Sequence, residues 1–183
     1  MTTPAEAAHL TRFDASQGPR IVGPSDGKVV DLGSIGARMM AWTEETGGDF
    51  SLVEHPMPPR RLAAPIHKHS REDEYSFVLE GRMGALLGDE VVHAGAGDLA
   101  FKPRDQWHTF WNASDEPCRI LEIISPGGFE HFFDELGALI ERPDFNPEEL
   151  GALGARYGLE FDPESVPRLC EEHGLTHPLL EAA

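Results

Sequence analysis

Between Pro19 and Pro126 the chain is a series of short apolar segments cut at close intervals by Gly, Pro and Asp. That rhythm most constrains what the chain can fold into. Segments this short, with turn residues between them, read as strands of an antiparallel sandwich or barrel. The candidate strands are 29–32, 35–43, 50–55, 75–79, 83–87, 90–93, 99–101, 107–111 and 119–124. Gly88-Asp89, between Leu87 and Glu90, reads as a tight hairpin turn. The stretch 56–65 holds four prolines and two arginines, which excludes a central strand and makes it a loop near the barrel mouth.

After Gly127-Gly128 the period changes from strand to helix. Phe129, Phe132, Phe133, Leu136, Leu139 and Ile140 recur at helical spacing, and Pro143 stops the run. The aromatic members read first as the face that docks the helix on the barrel, and second as a box for an aromatic ligand. Asn146-Pro147-Glu148-Glu149 is a helix start, with Asn as cap, and Leu150, Leu153 and Tyr157 form the stripe that Gly158 ends. A third helix begins near Ser165 and stops at Gly174. The chain therefore divides into an arm over 1–18, a β-barrel over 19–126 and a helical appendix over 127–183.

His67-Lys68-His69, Glu74 and His108 supply the chemistry. Three imidazoles and a carboxylate can close around one divalent metal. His67 and His69 are two apart, so on a strand they share a face. Glu74 is an odd number of residues beyond His69, and the polar run Ser70-Arg71-Glu72-Asp73 is the turn that resets the phase. The full pattern is His67-x-His69, four residues, Glu74, six residues, Gly81. It continues as Gly97, five residues, Pro103, four residues, His108, three residues, Asn112. These two segments resemble the signature motifs of the cupin superfamily. Asp105 stands where that family has Gly, a position at which Asp accepts positive φ better than most residues. The resemblance implies a mainly β fold: a cupin (double-stranded β-helix, jelly-roll) barrel with a C-terminal helical appendix. The helical tail and the Ser125-Pro126-Gly127-Gly128-Phe129-Glu130 junction further resemble single-domain bacterial quercetinase-like cupins. In those, the Glu matching Glu74 takes a proton from a metal-bound hydroxyl.

Imidazole and carboxylate donors suit Fe, Mn, Ni, Co, Cu or Zn, one ion per chain, and the absence of thiolate argues against a purely structural zinc site. Strand parity turns Ser76 and Val78 inward with Glu74, and Phe110 inward with His108, as the substrate pocket. Gly84-Ala85 reads equally as free space or as close packing. Phe101, Trp107 and Trp111 read as core. His9, His55, His93, His131, His173 and His177 read as surface or loop residues, with His55 and His93 as outside candidates for the pocket. Three functions remain open: a metal-dependent dioxygenase acting on a small aromatic or enolic substrate; a non-oxidative metal enzyme (isomerase, cyclase, decarboxylase or hydrolase), whose pocket should hold a further acid–base residue; or a small-ligand-binding protein with a filled or closed pocket. The first is favoured by the tail and the complete donor set. A net charge of -17 disfavours nucleic acid and anionic lipid as partners. No apolar run approaches membrane-spanning length, Met1 to His9 is not a secretory signal, and Cys118 and Cys170 are too few for a disulfide framework. A cytoplasmic homodimer with a small-molecule substrate is the expectation, because an isolated barrel exposes edge strands.

Overall fold

The computed structural model describes residues 18–19 and 21–181. The arm expected over 1–18 lies, but for its last residue, outside the described residues, as does His9. The strands are β1 (Lys28–Asp31), β2 (Gly36–Ala41), β3 (Ser51–Met57), β4 (Ile66–His69), β5 (Asp73–Glu80), β6 (Arg82–Leu87), β7 (Glu90–Gly95), β8 (Leu99–Lys102), β9 (His108–Asn112), β10 (Cys118–Ser125) and β11 (Leu159–Asp162). They build two sheets, ordered β1-β2-β3-β10-β5-β8 and β11-β4-β9-β6-β7, with every strand pair antiparallel. Alternation in the sequence decides which side chains face between them. On β10, Cys118, Ile120, Glu122 and Ile124 are buried, and on β5 so are Glu74, Ser76 and Val78.

Nine of the strands overlap the candidate segments. β4 was legible only through its histidines, and β11 was missed. Leu159-Glu160-Phe161-Asp162 is too short to declare itself between the glycine that ends one helix and the proline that opens the next. It nonetheless completes the second sheet beside β4, with Phe161 opposite His67 and Leu159 opposite His69. β3 also runs on through Pro56 to Met57, against the expectation of a loop from residue 56. Pro56 lies beyond Arg38↔Glu54, the last registered pair with β2, so on that side its missing N–H interrupts no pairing.

Gly88-Asp89 forms the two-residue hairpin between β6 and β7, with Leu87 opposite Glu90 and Gly88 at φ 61°. Gly84 answers to close packing rather than to free space. A Cβ there would sit 2.2 Å from Nε1 of Trp111, so the indole lies flat against the bare backbone of β6. Trp111 is buried as expected and stacks on His173 at 4.5 Å, but Trp107 is only half-buried and Phe101 is 48% exposed. Phe101 lies on the outer side of β8 and stacks on Tyr75 at 4.8 Å, because strand parity gives the inward place to Lys102. Both cysteines are free and buried.

The helices α1 (Glu130–Ile140), α2 (Pro147–Arg156), α3 (Ser165–His173) and α4 (Pro178–Glu181) cover the barrel. The cap of α2 is the expected one: the Asn146 side chain accepts from the N–H groups of Glu148 and Glu149. Gly174 closes α3 in the left-handed region. α1 is pinned at its start by Glu130, a fully buried carboxylate that accepts from the N–H groups of Thr43 at 2.6 Å and Gly128 at 2.7 Å. Phe129 and Phe132 then join Met39, Val53 and Ile124 in one apolar cluster. α3 buries Val166 and Leu169 against Leu62, Ile66 and Trp111. Among the described residues no helix is long and apolar enough to cross a membrane.

Candidate metal centre

His67 and His69 point from β4 into the space between the sheets, and His108 stands opposite His67 on the neighbouring strand β9. Glu74 comes from β5 in the facing sheet. The chain crosses from one sheet to the other through the bend Ser70–Glu72, so inward on β4 and inward on β5 are opposite directions in space. That crossing is why the odd spacing between His69 and Glu74 works. The bend is held from outside by Asp73, which accepts from the backbone N–H and the guanidinium of Arg104. Asp105, at φ 62°, donates its N–H to the carbonyl of His69 at 2.7 Å. The residue that replaces the family's glycine adopts the glycine conformation and ties the loop before β9 to the end of β4.

His67, His69, Glu74 and His108 are all buried, and one donor atom from each lies within 4.8 Å of the others. Nε2 of His69 is 3.4 Å from Oε1 of Glu74, and Nε2 of His108 is 3.2 Å from Oε2. The tautomers are set from behind. Nδ1–H of His67 donates to the carbonyl of Pro65 at 2.8 Å, and Nδ1–H of His108 to that of Gln106 at 3.0 Å. Both rings thereby turn Nε2, the nitrogen a metal would take, toward the centre of the cluster, where that of His108 also lies within hydrogen-bonding distance of Glu74. His69 has neither ring nitrogen hydrogen-bonded among the described residues, and Oε2 of Glu72, 3.7 Å from its Nδ1, is unpartnered as well. Buried polar atoms are rarely left so. A cation on Nε2 of His69 would supply the missing partner and polarise the ring toward Glu72. The donor set therefore fits a divalent transition ion. Burial, reinforced by the neighbouring imidazoles, holds His67 well below the usual histidine range, and burial also depresses His108. Burial acts to raise Glu74, but His69, Lys102 and His108 together hold it well below the carboxylate range. Neutral imidazoles and an ionised carboxylate are the forms a metal requires.

Beside this cluster lies a second set of buried groups that the sequence reading missed. Nζ of Lys102 sits 2.9 Å from Oε2 of Glu74 and 3.0 Å from Oε1 of Glu122, and 4.7 Å above the ring of Phe110. Ser76 donates its hydroxyl to Glu122 at 2.9 Å. Burial pushes the Glu122 carboxyl up to about 7, against the pull of Lys102. A charged residue at an inward position of the alternating Ile120-x-Glu122-x-Ile124 was the available signal. Glu72 was visible only as part of a turn.

The cluster opens on a cavity of about 350 Å³ whose walls include Phe110, Phe129, Phe132, Phe133 and Leu136. Of the three residues assigned to the pocket by parity, Phe110 lines it. Ser76 and Val78 face inward but lie behind the wall, one bonded to Glu122 and the other in the barrel core. The phenylalanines of α1 serve both readings at once, since they dock the helix and form the wall; the Phe129 ring meets His69 edge-on at 4.4 Å. Against the expectation of surface or loop positions, His55 and His177 are buried cavity residues, whereas His93 is exposed and off the cavity.

Residues 54–124 match the family model of the cupin domain. The fold is a cupin barrel. Among solved structures it is similar to KdgF from Halomonas sp., at 18% identity and TM-score 0.54, covering 62% of this chain and 98% of that one. It is similar also to a predicted oxalate decarboxylase from Thermotoga maritima, at 18% identity and TM-score 0.54 over 58% of this chain and 99% of that one. The polyketide cyclase RemF from Streptomyces resistomycificus shares 29% identity at TM-score 0.51, over 58% of this chain and 79% of that one. A comparison with curated proteins gave no match. The first two likenesses are likenesses of fold.

The buried histidines of this cupin barrel give its metal-free form a definite pH response. His67, His108 and His55 are depressed in the folded state, His55 to about 4, so below about 6.5 the unfolded chain takes up their protons first and stability falls with pH. Glu122 works the other way between its ordinary value and about 7, but it is one group against three. Urea titrations of chelator-treated protein should show stability dropping from pH 6.5 to 5, by an amount set by about two net protons. Flat or rising stability would show that the imidazoles are not held neutral.

Proposed function

We propose that this cupin barrel is a metal-dependent enzyme that carries out non-oxidative proton-transfer chemistry, such as cyclisation, dehydration or isomerisation, on an apolar small molecule bound through an enolic or phenolic oxygen. The observation that carries the reading is the four-donor cluster at one end of a hollow, phenylalanine-walled cavity that also holds titratable groups of its own. A filled or closed pocket would have favoured a binding protein. His67, His69, His108 and Glu74 would hold one divalent transition ion, whether Fe, Mn, Ni, Co, Cu or Zn. When bound, the ion acts as a Lewis acid that acidifies a coordinated hydroxyl.

The chain's own residues do the rest. Glu74 takes the proton from the substrate hydroxyl, and the Lys102 ammonium beside it keeps the carboxylate ionised until then. Glu122, on the cavity wall with a carboxyl near 7, returns a proton elsewhere on the substrate. It is the additional acid–base residue that a non-oxidative enzyme needs. The phenylalanines keep water out, which strengthens the electrostatics of the site. The likeness to a polyketide cyclase supports this reading, and the relatives named above lend none to a quercetinase-like dioxygenase. The dioxygenase reading keeps one favourable observation: an aromatic-walled cavity also suits reactive oxygen chemistry.

Metal-loaded protein assayed on enolic and phenolic substrates with an oxygen electrode separates the two. Turnover without oxygen uptake is expected, and a strict oxygen requirement would overturn the non-oxidative assignment. Glu74→Gln should retain most of the metal and lose turnover by about 10²–10⁴-fold, the range for removing a general base. Parallel loss of metal and activity would reduce Glu74 to a ligand.

In this reading the protein works in the cytoplasm as a homodimer. Leu79, Leu99 and Phe101 are exposed on β5 and on β8, the last strand of its sheet, and make an apolar face suited to a second copy. Light scattering at micromolar concentration should return twice the monomer mass of 20.1 kDa, and Phe101→Asp should return the monomer mass. Monomeric wild-type protein would refute the pairing.

A further inference from the structure

His55 is a buried cavity residue without a part in either the donor cluster or the Glu74–Lys102–Glu122 set. It stands on β3 opposite Ile120 of β10 and is 1% exposed. Its Nδ1 lies 2.8 Å from the carbonyl of Gly36. A carbonyl can only accept, so the proton is on Nδ1 and the lone pair on Nε2. Burial lowers the ring's pKa to about 4, which leaves it neutral at pH 7, with Lys102 and Glu74 the nearest charged groups across the cavity and Glu54 the one beside it on β3. Among the described residues nothing hydrogen-bonds Nε2. The ring's neighbours are Phe110 at 6.2 Å and Phe133 at 5.1 Å, neither of which can donate to it. Nε2 is thus an open acceptor on the cavity wall, available to whatever fills the cavity.

Its position relative to the metal end defines what that occupant must be. Ile120 faces His55 and Ile124 faces Glu74, so the two residues stand four positions apart along β10, roughly 13 Å at about 3.3 Å per residue. A wall of rings joins the two ends. Phe129 lies 4.4 Å from His69 and 5.1 Å from Phe133, which lies 5.1 Å from His55. A molecule that reaches from the donor cluster to His55 must be apolar and ring-like in the middle and must end in a hydrogen-bond donor. A neutral imidazole that offers only a lone pair gives no welcome to a carboxylate or phosphate at that end.

Resting on the reading that this cavity binds substrate, we propose that Nε2 of His55 accepts a hydrogen bond from a hydroxyl at the far end of the substrate. The cavity thereby selects hydroxylated multi-ring aromatic compounds with a metal-binding oxygen at one end and a neutral O–H at the other. His55 is a specificity-determining residue, and the chemistry stays at the Glu74 end.

Zinc-loaded protein titrated by calorimetry with 3-hydroxyflavone and 3,4′-dihydroxyflavone tests this. Both chelate through the same oxygens, and they differ by one distal hydroxyl. Wild-type protein should bind the dihydroxy compound at least tenfold more tightly. His55→Phe should keep its zinc and its affinity for 3-hydroxyflavone and lose the preference, and His55→Gln, which restores an acceptor, should recover part of it. A preference that survives in His55→Phe, or is missing from the wild type, overturns the assignment. Failure of both probes to bind wild-type protein overturns the substrate reading of the cavity and this inference with it. A measurement free of any variant uses the ¹⁵N resonance of Nε2 of His55 in wild-type protein. It should move upfield with the dihydroxy compound and stay with the other, and an equal response to both contradicts the hydrogen bond.

Discussion

The carboxylate of Glu74 is where the two sheets of this barrel meet. One sheet supplies the three imidazoles through β4 and β9, and the other supplies the carboxylate through β5. A buried carboxylate between facing sheets is costly unless its charge is matched. Here it is met by Lys102 from β8 on its own sheet and by the imidazole edges of His69 and His108 from the other. Much of the surrounding structure serves to keep those partners in reach. The bend Ser70–Glu72 carries the chain between the sheets, the Asp73–Arg104 pair clamps its outer side, and the Asp105 N–H holds the end of β4. The site is therefore a consequence of how the sheets are joined as much as of which ligands the chain carries.

Local signals made the strands, the helix starts and the donor set readable in advance. Alternation gave inward Glu74, Ser76, Val78 and Phe110, and Asn146 announced α2, because both depend on neighbours within a few residues. What escaped reading depends on long-range pairing. β11 acquires its role only by lying next to β4, with paired residues 90 to 96 positions apart in sequence. Lys102 and Glu122 have no ligand spacing to link them, and only the pairing of the strands places them against each other. Ser76 and Val78 were oriented correctly, but parity gives direction and not depth, and the layer of Lys102 and Glu122 stands between Ser76 and the cavity. His55 and His177 have no ligand spacing to draw attention to them, and they reach the cavity through the curvature of the barrel and the return of the C-terminal segment.

The helical appendix converts an open barrel mouth into a walled cavity. Its first helix is anchored by Glu130, and the phenylalanines that this anchor positions are at once core and cavity lining. A purely structural docking face would bury those rings completely. Here Phe133 and Leu136 stay half-buried, because part of their surface faces the hollow rather than a neighbour. The charge on this chain is concentrated outside, and the interior couples a small set of compensated ions to an aromatic space. Under the proposed function, that combination suits a neutral, apolar substrate whose charge develops only at the donor cluster.

The proposed function depends most directly on His67, His69, Glu74 and His108 holding one metal ion together. Protein loaded with a divalent transition metal, dialysed free of excess and analysed by mass spectrometry of the metal should contain close to one equivalent per chain. His69→Ala should lose it while the far-ultraviolet circular dichroism of the barrel is unchanged, because the sheets are held by apolar packing. Wild-type protein that retains no metal after loading, or a His69→Ala variant that keeps its full equivalent, would contradict the account.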